Sequence, residues 1–407
     1  MNVLMLGNGF DINYKLLTKY INFLNVVSYI SCNYADTMSD VKTVGDILGA
    51  KKLHELDPDI ARSYIEYEVA YDSIPLKASI VEKFVQLAEN NYFFTYLLDS
   101  FNKDVGWIDF EKEIASIIDA FDGFLKDEKP WHNPKKNPLP PISYHIIDHF
   151  SFFHQCNDGI MRVINQEFQI EYPKGSMNWI TNKEKIIGML EAQMLELADG
   201  LRLYLQFFVE NVVCELCRLK YLKKLTPLTG ANQVVTFNYT NTYEQVYTYD
   251  KIYHIHGNVK ERIILGVNPD ETDELNAIDI SFLRLKKYFQ RVINHSDDAY
   301  LEWITKEKSI VSLVVMGHSL DVTDKDVIIQ MFNAAKDITV LYYDESAEAS
   351  LVANLIKIYG KEMFDDLRIK KRLRFLPQNA IYTGFAEDRQ SKEMATFTKA
   401  MGNHSII

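Results

Sequence analysis

The sequence predicts an α/β fold: a parallel, Rossmann-like sheet that is split by a large helical insertion. Three observations lead to this prediction. An apolar run at residues 3–6 stops at a glycine turn, and a near-continuous apolar run at 310–316 stops at a second glycine. Residues 55–225, between them, are mostly helical in period. Continuous apolar runs are typical of parallel strands that are buried on both faces.

The first element is a strand at residues 3–6, followed by the turn Gly7-Asn8-Gly9 and a helical pattern that runs to Leu24. Strand, glycine turn and helix in this order cradle phosphates in nucleotide-binding folds. Glycine suits such a turn because it adopts positive φ and lets a ligand approach the backbone. Two glycines also occur in strand-to-helix turns for geometry alone, so the turn by itself leaves both interpretations open.

Between the two apolar runs the pattern is helical. It predicts helices at 80–98, 110–125, 142–153 and 184–222, with loops at the proline-rich segment 129–141 and at 171–176. We therefore predict two domains. Residues 1–54 and 226–407 form the Rossmann-like nucleotide-binding domain, and residues 55–225 form the helical insertion.

The carboxyl-terminal half returns to strands. Short strands are predicted at 234–237, 253–256, 263–265, 310–316 and 338–343, with a helix from about residue 324. Four strand ends carry unusual polar residues: the turn at 7–11, then Asn238, then His256, then the turn at 317–321. Ligands of open α/β sheets bind at the carboxyl ends of strands, so we expect these residues to converge on one cleft.

Composition narrows the class of protein. The 407 residues carry a net charge of −12, which disfavours binding to nucleic acid in general. One basic cluster stands against this trend (Arg368, Lys370, Lys371, Arg372 and Arg374); a solvated face explains it most simply, and a local anion or nucleic-acid contact stays open. Four cysteines, no signal-peptide pattern and no membrane-length apolar run predict a cytoplasmic protein without membrane contact.

Six short motifs stand out along the chain: GNGFD at 7–11, WIDFE at 107–111, TFNYTNTYE at 236–244, HIHGN at 254–258, ILG at 264–266 and GHSLDVTD at 317–324. In order and spacing they resemble the AbiH family of bacterial abortive-infection proteins, which are associated with defence against phage. The resemblance implies a role in that defence. A phage-derived trigger and a homo-oligomer are the partners we expect, with the helical insertion sensing the one or building the other.

A more distant resemblance is to the sirtuin-like NAD-binding fold. It implies that Gly7 and Gly9 bind pyrophosphate, that Asn238 orients the nicotinamide ribose or a water, and that His256 acts on a ribose hydroxyl. It places Gly317 and Ser319 at the adenosine side of the cofactor, and Asp344 beside the adenosine ribose. The predicted nucleotide site also includes Asn8, Phe10, Asp11 and His318.

The residue types suit cleavage of the nicotinamide–ribose bond, which generates an oxocarbenium-like sugar. Histidine titrates near neutral pH and suits proton transfer. An amide such as that of Asn238 donates and accepts at once, so it can fix a water relative to a hydroxyl. Asn238 and His256 are therefore the predicted catalytic residues, with NAD or a related nucleotide as ligand or substrate.

Two positions depart from the sirtuin-like pattern. Thr240 stands where those proteins usually carry an aspartate, and Asp11 stands where they commonly carry a small hydroxyl residue. The four-cysteine zinc module of the deacetylases has no match, so we do not expect deacetylation. Two alternatives to NAD hydrolysis remain: a nucleotide-binding sensor without turnover, and a toxin that acts on RNA through the basic cluster.

Other candidate residues are better explained by structure than by chemistry. No metal is expected: His145 and His149 share a helical face, but with His154 and Cys156 they more simply flank an aromatic core. Three further positions are assigned structural roles: Cys214 and Cys217 as buried helical thiols, His254 on the opposite strand face from its neighbours, and Asp109 as a helix cap.

Overall fold

The structure is a computed structural model of the whole chain. It describes residues 1–34, 42–103, 110–126, 129, 131–132, 135–136, 138–156, 161–172, 174–175, 178–224, 230–266, 280–294, 300–302, 304 and 310–378. The WID of WIDFE, including the predicted cap Asp109, lies outside these residues.

The strands of the described part form one large sheet and two small ones. They are β1 (Asn2–Leu6), β2 (Trp131–His132), β3 (Phe153–Cys156), β4 (Met161–Ile164), β5 (Gln169–Glu171), β6 (Trp179–Thr181), β7 (Gln233–Thr236), β8 (Ile252–His254), β9 (Ile310–Met316), β10 (Ala335–Tyr342) and β11 (Leu373–Pro377). The large sheet has six strands in the order β11-β10-β9-β1-β7-β8, and every neighbouring pair is parallel. The predicted parallel sheet of an α/β protein is confirmed.

The register aligns the carboxyl ends of the central strands. Leu6 at the end of β1 pairs with Thr236 of β7 on one side and with Met316 of β9 on the other. Thr236 in turn pairs with His254 of β8. The residues that follow these four positions therefore lie along one edge of the sheet.

Both faces of the sheet are buried. Leu4 and Leu6 pack into a core that continues through the helical region, whereas Val3 and Met5, on the opposite face, pack with the helices after β9. The alternation follows from the two-residue period of a strand. Because both faces are buried, the strand is a nearly continuous apolar run, and such a run can be recognised in the sequence.

Most helices lie between β1 and β7 in the chain. The helices used below are α1 (Gly9–Asn13), α2 (Tyr20–Tyr34), α3 (Val44–Leu48), α4 (Lys51–Leu56), α5 (Pro58–Asp72), α6 (Ala78–Asn90), α7 (Tyr92–Lys103), α8 (Phe110–Phe124), α9 (Pro141–His149), α10 (Lys183–Leu205), α11 (Asn211–Arg218), α12 (Thr242–Tyr247), α13 (Lys287–Ile293), α14 (Lys325–Ala334) and α15 (Glu345–Ile369). The assignment of 55–225 as a separate inserted domain stays a prediction.

Several helices differ from the predicted ones. The pattern after the first turn splits into α1 and α2, because Lys15 between them has positive φ. The predicted helix 80–98 breaks at Asn91, whose side chain accepts from Phe94 N at 3.0 Å and so begins α7. The predicted helix 184–222 contains a π-helical turn, Gln206–Glu210, between α10 and α11.

The segment around residue 150 differs more. The predicted helix 142–153 ends at His149, and β3 begins at Phe153, after Ser151 with positive φ. The predicted loop 129–141 includes β2 and the first residue of α9. Apolar residues at 150, 152 and 153 fit a strand as well as a helix, and a short run does not distinguish the two.

Two predicted strands change. The strand expected at 253–256 is β8, which ends two residues earlier, so His256 lies beyond it. Residues 263–265 form no strand; Ile263 makes a single antiparallel bridge to Gly257. No helix in the described part of the chain is long and apolar enough to cross a membrane.

Three residues of the basic cluster make contacts within the local fold. Arg374 pairs with Asp337 on the adjacent strand, and Arg372 donates to the carbonyls of Phe332 and Ala335. Lys370 pairs with Asp366 at 2.7 Å. The prediction that Cys214 and Cys217 are buried is wrong: Cys214 is exposed, and Cys217 is half-buried at the edge of the core.

The turns after β1 and β9 are in direct backbone contact. Gly7 N donates to Met316 O at 3.0 Å, and Gly9 N donates to Gly317 O at 2.8 Å. A Cβ atom on Gly7 would lie 2.5 Å from His318 Cα, and one on Gly317, whose φ is +70°, would lie 2.3 Å from Phe10 N. Glycine at these positions is therefore required for the two strand ends to pack together.

We expect Gly7→Ala to lower the free energy of unfolding by at least about 2 kcal/mol, because the methyl group would force two backbones apart. Gly188→Ala is the matched control, since a Cβ there meets nothing within 4 Å on an exposed turn of α10. It should raise the free energy of unfolding by about 0.5–1 kcal/mol. Chemical denaturation measures both, and equal effects would contradict the packing role of Gly7.

Candidate functional site

Polar side chains from the ends of β1 and β7 form a first buried group, here called the Asp11 cluster (Asp11, Asn238 and Thr240). Thr240 Oγ1 donates to Asp11 Oδ2 at 2.5 Å, and Asn238 Nδ2 donates to the same oxygen at 3.2 Å. Asp11 is completely buried, and Asn238 is 7% exposed. Asn238 is held from its own strand too, because its N–H donates to Thr236 Oγ1.

The Asp11 carboxyl has a raised pKa of about 7. Burial is the main cause, since it penalises the charged form; the hydrogen bond from Thr240 and the nearby hydroxyl of Thr242 oppose it, and the nearby charges of Glu210 and Glu244 add to it. At neutral pH this carboxyl is therefore close to half-ionised. A buried carboxyl with a pKa near 7 is a group that can exchange protons under physiological conditions.

A second buried group, here called the Asp324 cluster, contains Asp324, His256, His318, Lys287 and Glu111. Asp324 is its centre: His256 Nε2 lies 3.0 Å from Oδ1, His318 Nε2 lies 3.5 Å from Oδ2, and Lys287 Nζ lies 3.6 Å from Oδ1. Lys287 Nζ also donates to Glu111 Oε1 at 2.6 Å. The cluster thus joins the ends of β8 and β9 to helices α8, α13 and α14.

The two imidazoles meet Asp324 in different ways. His318 Nδ1 accepts from Leu320 N at 2.8 Å, so the ring carries its proton on Nε2, which faces Asp324 Oδ2. His256 Nε2 lies 3.0 Å from Asp324 Oδ1, but the two atoms are not aligned as a hydrogen bond, so this contact leaves the tautomer of His256 open.

Lys287 determines the charges of this cluster. Burial, with a smaller contribution from the positive charge of Lys287, lowers the pKa of His256 to about 4 against the opposing effect of Asp324, so His256 is neutral at pH 7. Burial raises the pKa of Asp324, but Lys287 and the two histidines outweigh it and hold that pKa well below its usual range. Burial also lowers the pKa of Lys287, but Asp324 and Glu111 outweigh it and raise the pKa.

Aromatic rings line the space between the two histidines. The ring of Phe237 lies with its centroid 4.1 Å from that of His318 and 5.4 Å from that of His256. Tyr239 lies 6.3 Å from His256 and donates from its hydroxyl to Ile264 O. These rings pack around His256 and contribute to the burial that lowers its pKa.

His254 holds the β8 end against the β7 end. Its Nδ1 lies 3.0 Å from Asn238 O and its Nε2 lies 2.6 Å from Glu244 Oε1. Both partners accept hydrogen bonds, so both ring nitrogens donate and the ring is an imidazolium. Burial lowers the pKa of His254, but Glu244 outweighs it and raises the pKa. This contact fixes the backbone of Asn238.

The helical region contributes Glu210 to the same edge of the sheet. Glu210 lies in the π-helical turn, accepts from Asn241 N, and accepts from Gln245 Nε2 at 2.6 Å. Burial raises its pKa. π-Helical turns are often found at functional sites, because the extra residue redirects a side chain. Here the turn directs a carboxylate to the loop after β7.

The other predicted site residues have different surroundings. Phe10 is buried against Tyr14, Tyr243 and Tyr247. Asn8 and Ser319 are exposed: Asn8 Nδ2 donates to Thr18 O, and Ser319 O accepts from Asn354.

Asp344, exposed at the end of β10, accepts from Ala347 N at 2.8 Å and caps α15. Its predicted place beside an adenosine ribose stays a prediction. The backbone N–H groups of Gly7 and Gly9 are bonded to the β9 turn, so in this conformation they do not face a ligand.

Sequence reasoning missed Asp324, Lys287 and Glu111 as site residues. Asp324 ends the GHSLDVTD motif and Glu111 ends WIDFE, so both lay inside recognised motifs. The acidic residue at the end of each motif could have indicated a site residue. Lys287 had no such signal, because 176 residues separate it from Glu111 in the chain.

Two cavities lie outside both clusters. One of about 510 Å³ is lined by α3, α5 and their neighbours, including Asp46, Tyr64 and Asp72. The other, of about 440 Å³, lies between α10 and residues 261–263, the loop whose next residue, Ile264, donates to His256 O. No grouping of three or more His, Cys, Asp or Glu side chains suited to a metal ion occurs among the described residues.

The histidines considered for a metal have separate contacts, and His154 lies on a different element from His145 and His149 of α9. His149 Nε2 contacts Thr95 Oγ1 at 2.9 Å on α7, and His145 packs near the ring of Tyr96. His154 lies on β3, where its Nδ1 contacts Asn165 Oδ1 at 3.1 Å.

Comparison with known proteins gives one match. The family model described as "Bacteriophage abortive infection AbiH" matches residues 3–344. No curated protein and no solved structure gives a significant match.

We expect Asp11→Asn to raise the free energy of unfolding by about 1–3 kcal/mol at pH 8, because it removes a carboxylate that is costly to bury. The pKa of Asp11 is raised from 3.8 to about 7, so its destabilising effect is absent below pH 4 and grows as pH rises to 7. The gain from Asp11→Asn should shrink accordingly toward pH 4. Denaturation between pH 4 and 8 measures it, and a gain independent of pH would refute the ionisation argument.

Lys287→Met should lower the free energy of unfolding by about 3–5 kcal/mol, because it leaves the buried carboxylates of Asp324 and Glu111 without their cation. Lys185→Met is the control, since Lys185 pairs with Glu167 in a largely solvated position. It should cost less than about 1 kcal/mol. Similar losses for both lysines, measured by denaturation at pH 7, would show that the buried cation is dispensable.

Proposed function

This chain belongs to the AbiH family, and we propose that it acts in abortive infection by binding NAD or a related nucleotide and cleaving its nicotinamide–ribose bond. The observation that carries the proposal is the meeting of polar residues from four strand ends at one edge of a parallel sheet. The Asp11 cluster comes from β1 and β7, and the Asp324 cluster includes His256 after β8 and His318 after β9.

The strand order supports a nucleotide as the ligand. Counted along the chain within the large sheet, the strands run in the spatial order 3-2-1-4-5-6. This is the order of doubly wound dinucleotide-binding sheets, whose ligands lie where the order reverses. The reversal lies between β1 and β9, where the turns of Gly7 and Gly317 are in contact. We therefore propose a Rossmann-like, sirtuin-like domain.

The buried groups fit the sugar of such a ligand. Asn238 Oδ1 is buried, and no group in the described part of the chain donates to it. An acceptor of this kind is suited to a ribose hydroxyl or a water molecule. A pyrophosphate would need donors other than the N–H groups of Gly7 and Gly9, which are occupied by Met316 O and Gly317 O.

His256 is the proposed general base. Water attacks the anomeric carbon of the nicotinamide ribose as the carbon–nitrogen bond breaks and nicotinamide leaves with the bonding electrons. In the proposed step the water proton passes to Nδ1 of His256, whose Nε2 lies 3.0 Å from Asp324 Oδ1. A neutral imidazole is required for this step, and burial together with the charge of Lys287 keeps His256 neutral.

The helical region is the proposed site of control. Glu210 connects it to the loop after β7 through Asn241 and Gln245, so a change in the packing of α10 and α11 would reach the cleft. We propose that residues 55–225, as an inserted domain, sense a phage-derived trigger or build a homo-oligomer.

We expect purified protein, incubated with NAD and lysate from phage-infected cells, to release nicotinamide. Asn238→Ala and His256→Ala should each lower the release at least about tenfold, because general-base and orienting groups contribute factors of that size or more. Liquid chromatography of the products measures the rate. His154→Ala is the control: it removes an exposed histidine on β3 that contacts Asn165.

Three results separate the possibilities. Release by wild type and His154→Ala but not by the two site variants supports the proposal. Binding of NAD without release, measured by calorimetry, would replace it with the sensor function. Neither binding nor release, while the same cells are still protected from phage, would refute a nucleotide role for the cleft.

A further inference from the structure

The two positions that depart from the sirtuin-like pattern are in contact with each other. Asp11 supplies a carboxylate where a small hydroxyl residue is common, and Thr240 supplies a hydroxyl where an aspartate is usual. In the structure Thr240 Oγ1 donates to Asp11 Oδ2 at 2.5 Å. The carboxylate and the hydroxyl thus form a hydrogen-bonded pair at the side of Asn238.

We infer that Asp11 is the positioning residue of the cleft: it fixes the orientation of the Asn238 amide, so that the ligand group bound there is a hydrogen-bond donor such as a sugar hydroxyl or water, and not a phosphate. The inference rests on the proposed function and deepens it. Asp11 acts through Asn238 and needs no contact with the ligand.

The orientation follows from the acceptor that Asn238 faces. Its Nδ2 lies 3.2 Å from Asp11 Oδ2. Rotation of the amide by 180° would turn its carbonyl oxygen toward a carboxylate, and two acceptors would then face each other without a proton between them. With Asp11 ionised, only the observed orientation is satisfied, and Asn238 Oδ1 remains as a buried acceptor that receives no donor from any described residue.

The charges around Asp11 make this orientation sensitive to pH. Glu210 of the π-helical turn and Glu244 of α12 face it with like charge, while the imidazolium of His254 on β8 neutralises Glu244. Thr240, Thr242 and Asn238 present uncharged groups.

Protonation of Asp11, whose pKa is about 7, would allow its carboxyl group to donate a hydrogen bond to Asn238. The orientation of the Asn238 amide would then no longer be fixed.

The test places a hydroxyl at position 11 and a carboxylate at position 240. Four proteins are compared: wild type, Asp11→Ser, Thr240→Asp, and the double variant Asp11→Ser/Thr240→Asp. We expect each single variant to lower NAD binding and nicotinamide release at least about tenfold, one by losing the carboxylate and the other by placing two carboxylates together. The double variant should return to within about threefold of wild type.

Two further variants separate positioning from stability. Asp11→Asn keeps the shape and removes the charge, so it should lose binding although it is expected to unfold less readily. Asp57→Asn is the matched control, because Asp57 is also buried and accepts from two asparagine amides, those of Asn22 and Asn25, away from the strand ends. It should bind NAD as wild type does at temperatures where it is folded.

A pH series gives a readout that a purely structural role would not change. Release by wild type should rise between pH 6 and 8 as Asp11 ionises, and in the double variant the midpoint of the rise should change, because the carboxylate then stands at position 240 with different neighbours. A double variant that folds like wild type and is as impaired as the worse single variant would overturn the inference.

Protection of cells from phage is measured for the same six proteins, so that a failure of the proposed function is recognised separately. If wild type neither binds nor cleaves NAD, the proposed function fails. The inference about Asp11 is still supported if the single variants lose protection from phage and the double variant regains it. Loss of protection in the double variant, with protection retained by Asp57→Asn, decides against it.

Discussion

The close contact between the turns after β1 and β9 is the constraint on which the rest of the site depends. Two peptide backbones meet there without side chains between them, since Gly7, Gly9 and Gly317 have none. Their N–H and C=O groups bond across the contact, so the strand ends are held in register at the point where the strand order reverses. The residues on either side, Asp11 and His318, are placed by this contact.

Burial of charge follows from this packing. The carboxyl edge of a parallel sheet is commonly open to solvent or ligand, but here helices α8, α13 and α14 cover it and bring Glu111, Lys287 and Asp324 with them. Buried charges are tolerated when they are paired and hydrogen-bonded. The arrangement divides the edge into two electrostatic environments: one with an ionised Asp324 beside a cation, and one in which Asp11 lacks a direct cationic partner among the contacts described above. Two carboxyl groups of similar burial thereby acquire opposite pKa shifts.

The sheet and its polar edge could be predicted from sequence because both follow local rules. A strand buried on both faces is an apolar run, and a polar residue soon after it, such as Asn238 or His318, marks a strand end that needs a partner or a ligand. The helices were less predictable at their ends, since the break at Asn91 depends on one side-chain cap and the π-helical turn depends on packing. Lys287 could not be predicted at all: its partners Glu111 and Asp324 approach it only in the folded chain. The family motifs identified positions but not pairings, so the contact of Asp11 with Thr240 became visible only in three dimensions.

The π-helical turn has a consequence for how this chain could have diverged. A regular α-helix from Lys183 to Arg218 would advance each residue by 100°, and the wide turn at Gln206–Glu210 interrupts that advance by one residue. The one extra residue in this turn therefore sets the direction in which the side chains of α11 point relative to those of α10. Loss of that residue in a descendant would rotate Glu210 away from the Asn241 loop while both ends of the helix kept their apolar faces. Small changes in length at this turn are thus a route by which relatives could acquire a differently coupled helical region on the same sheet.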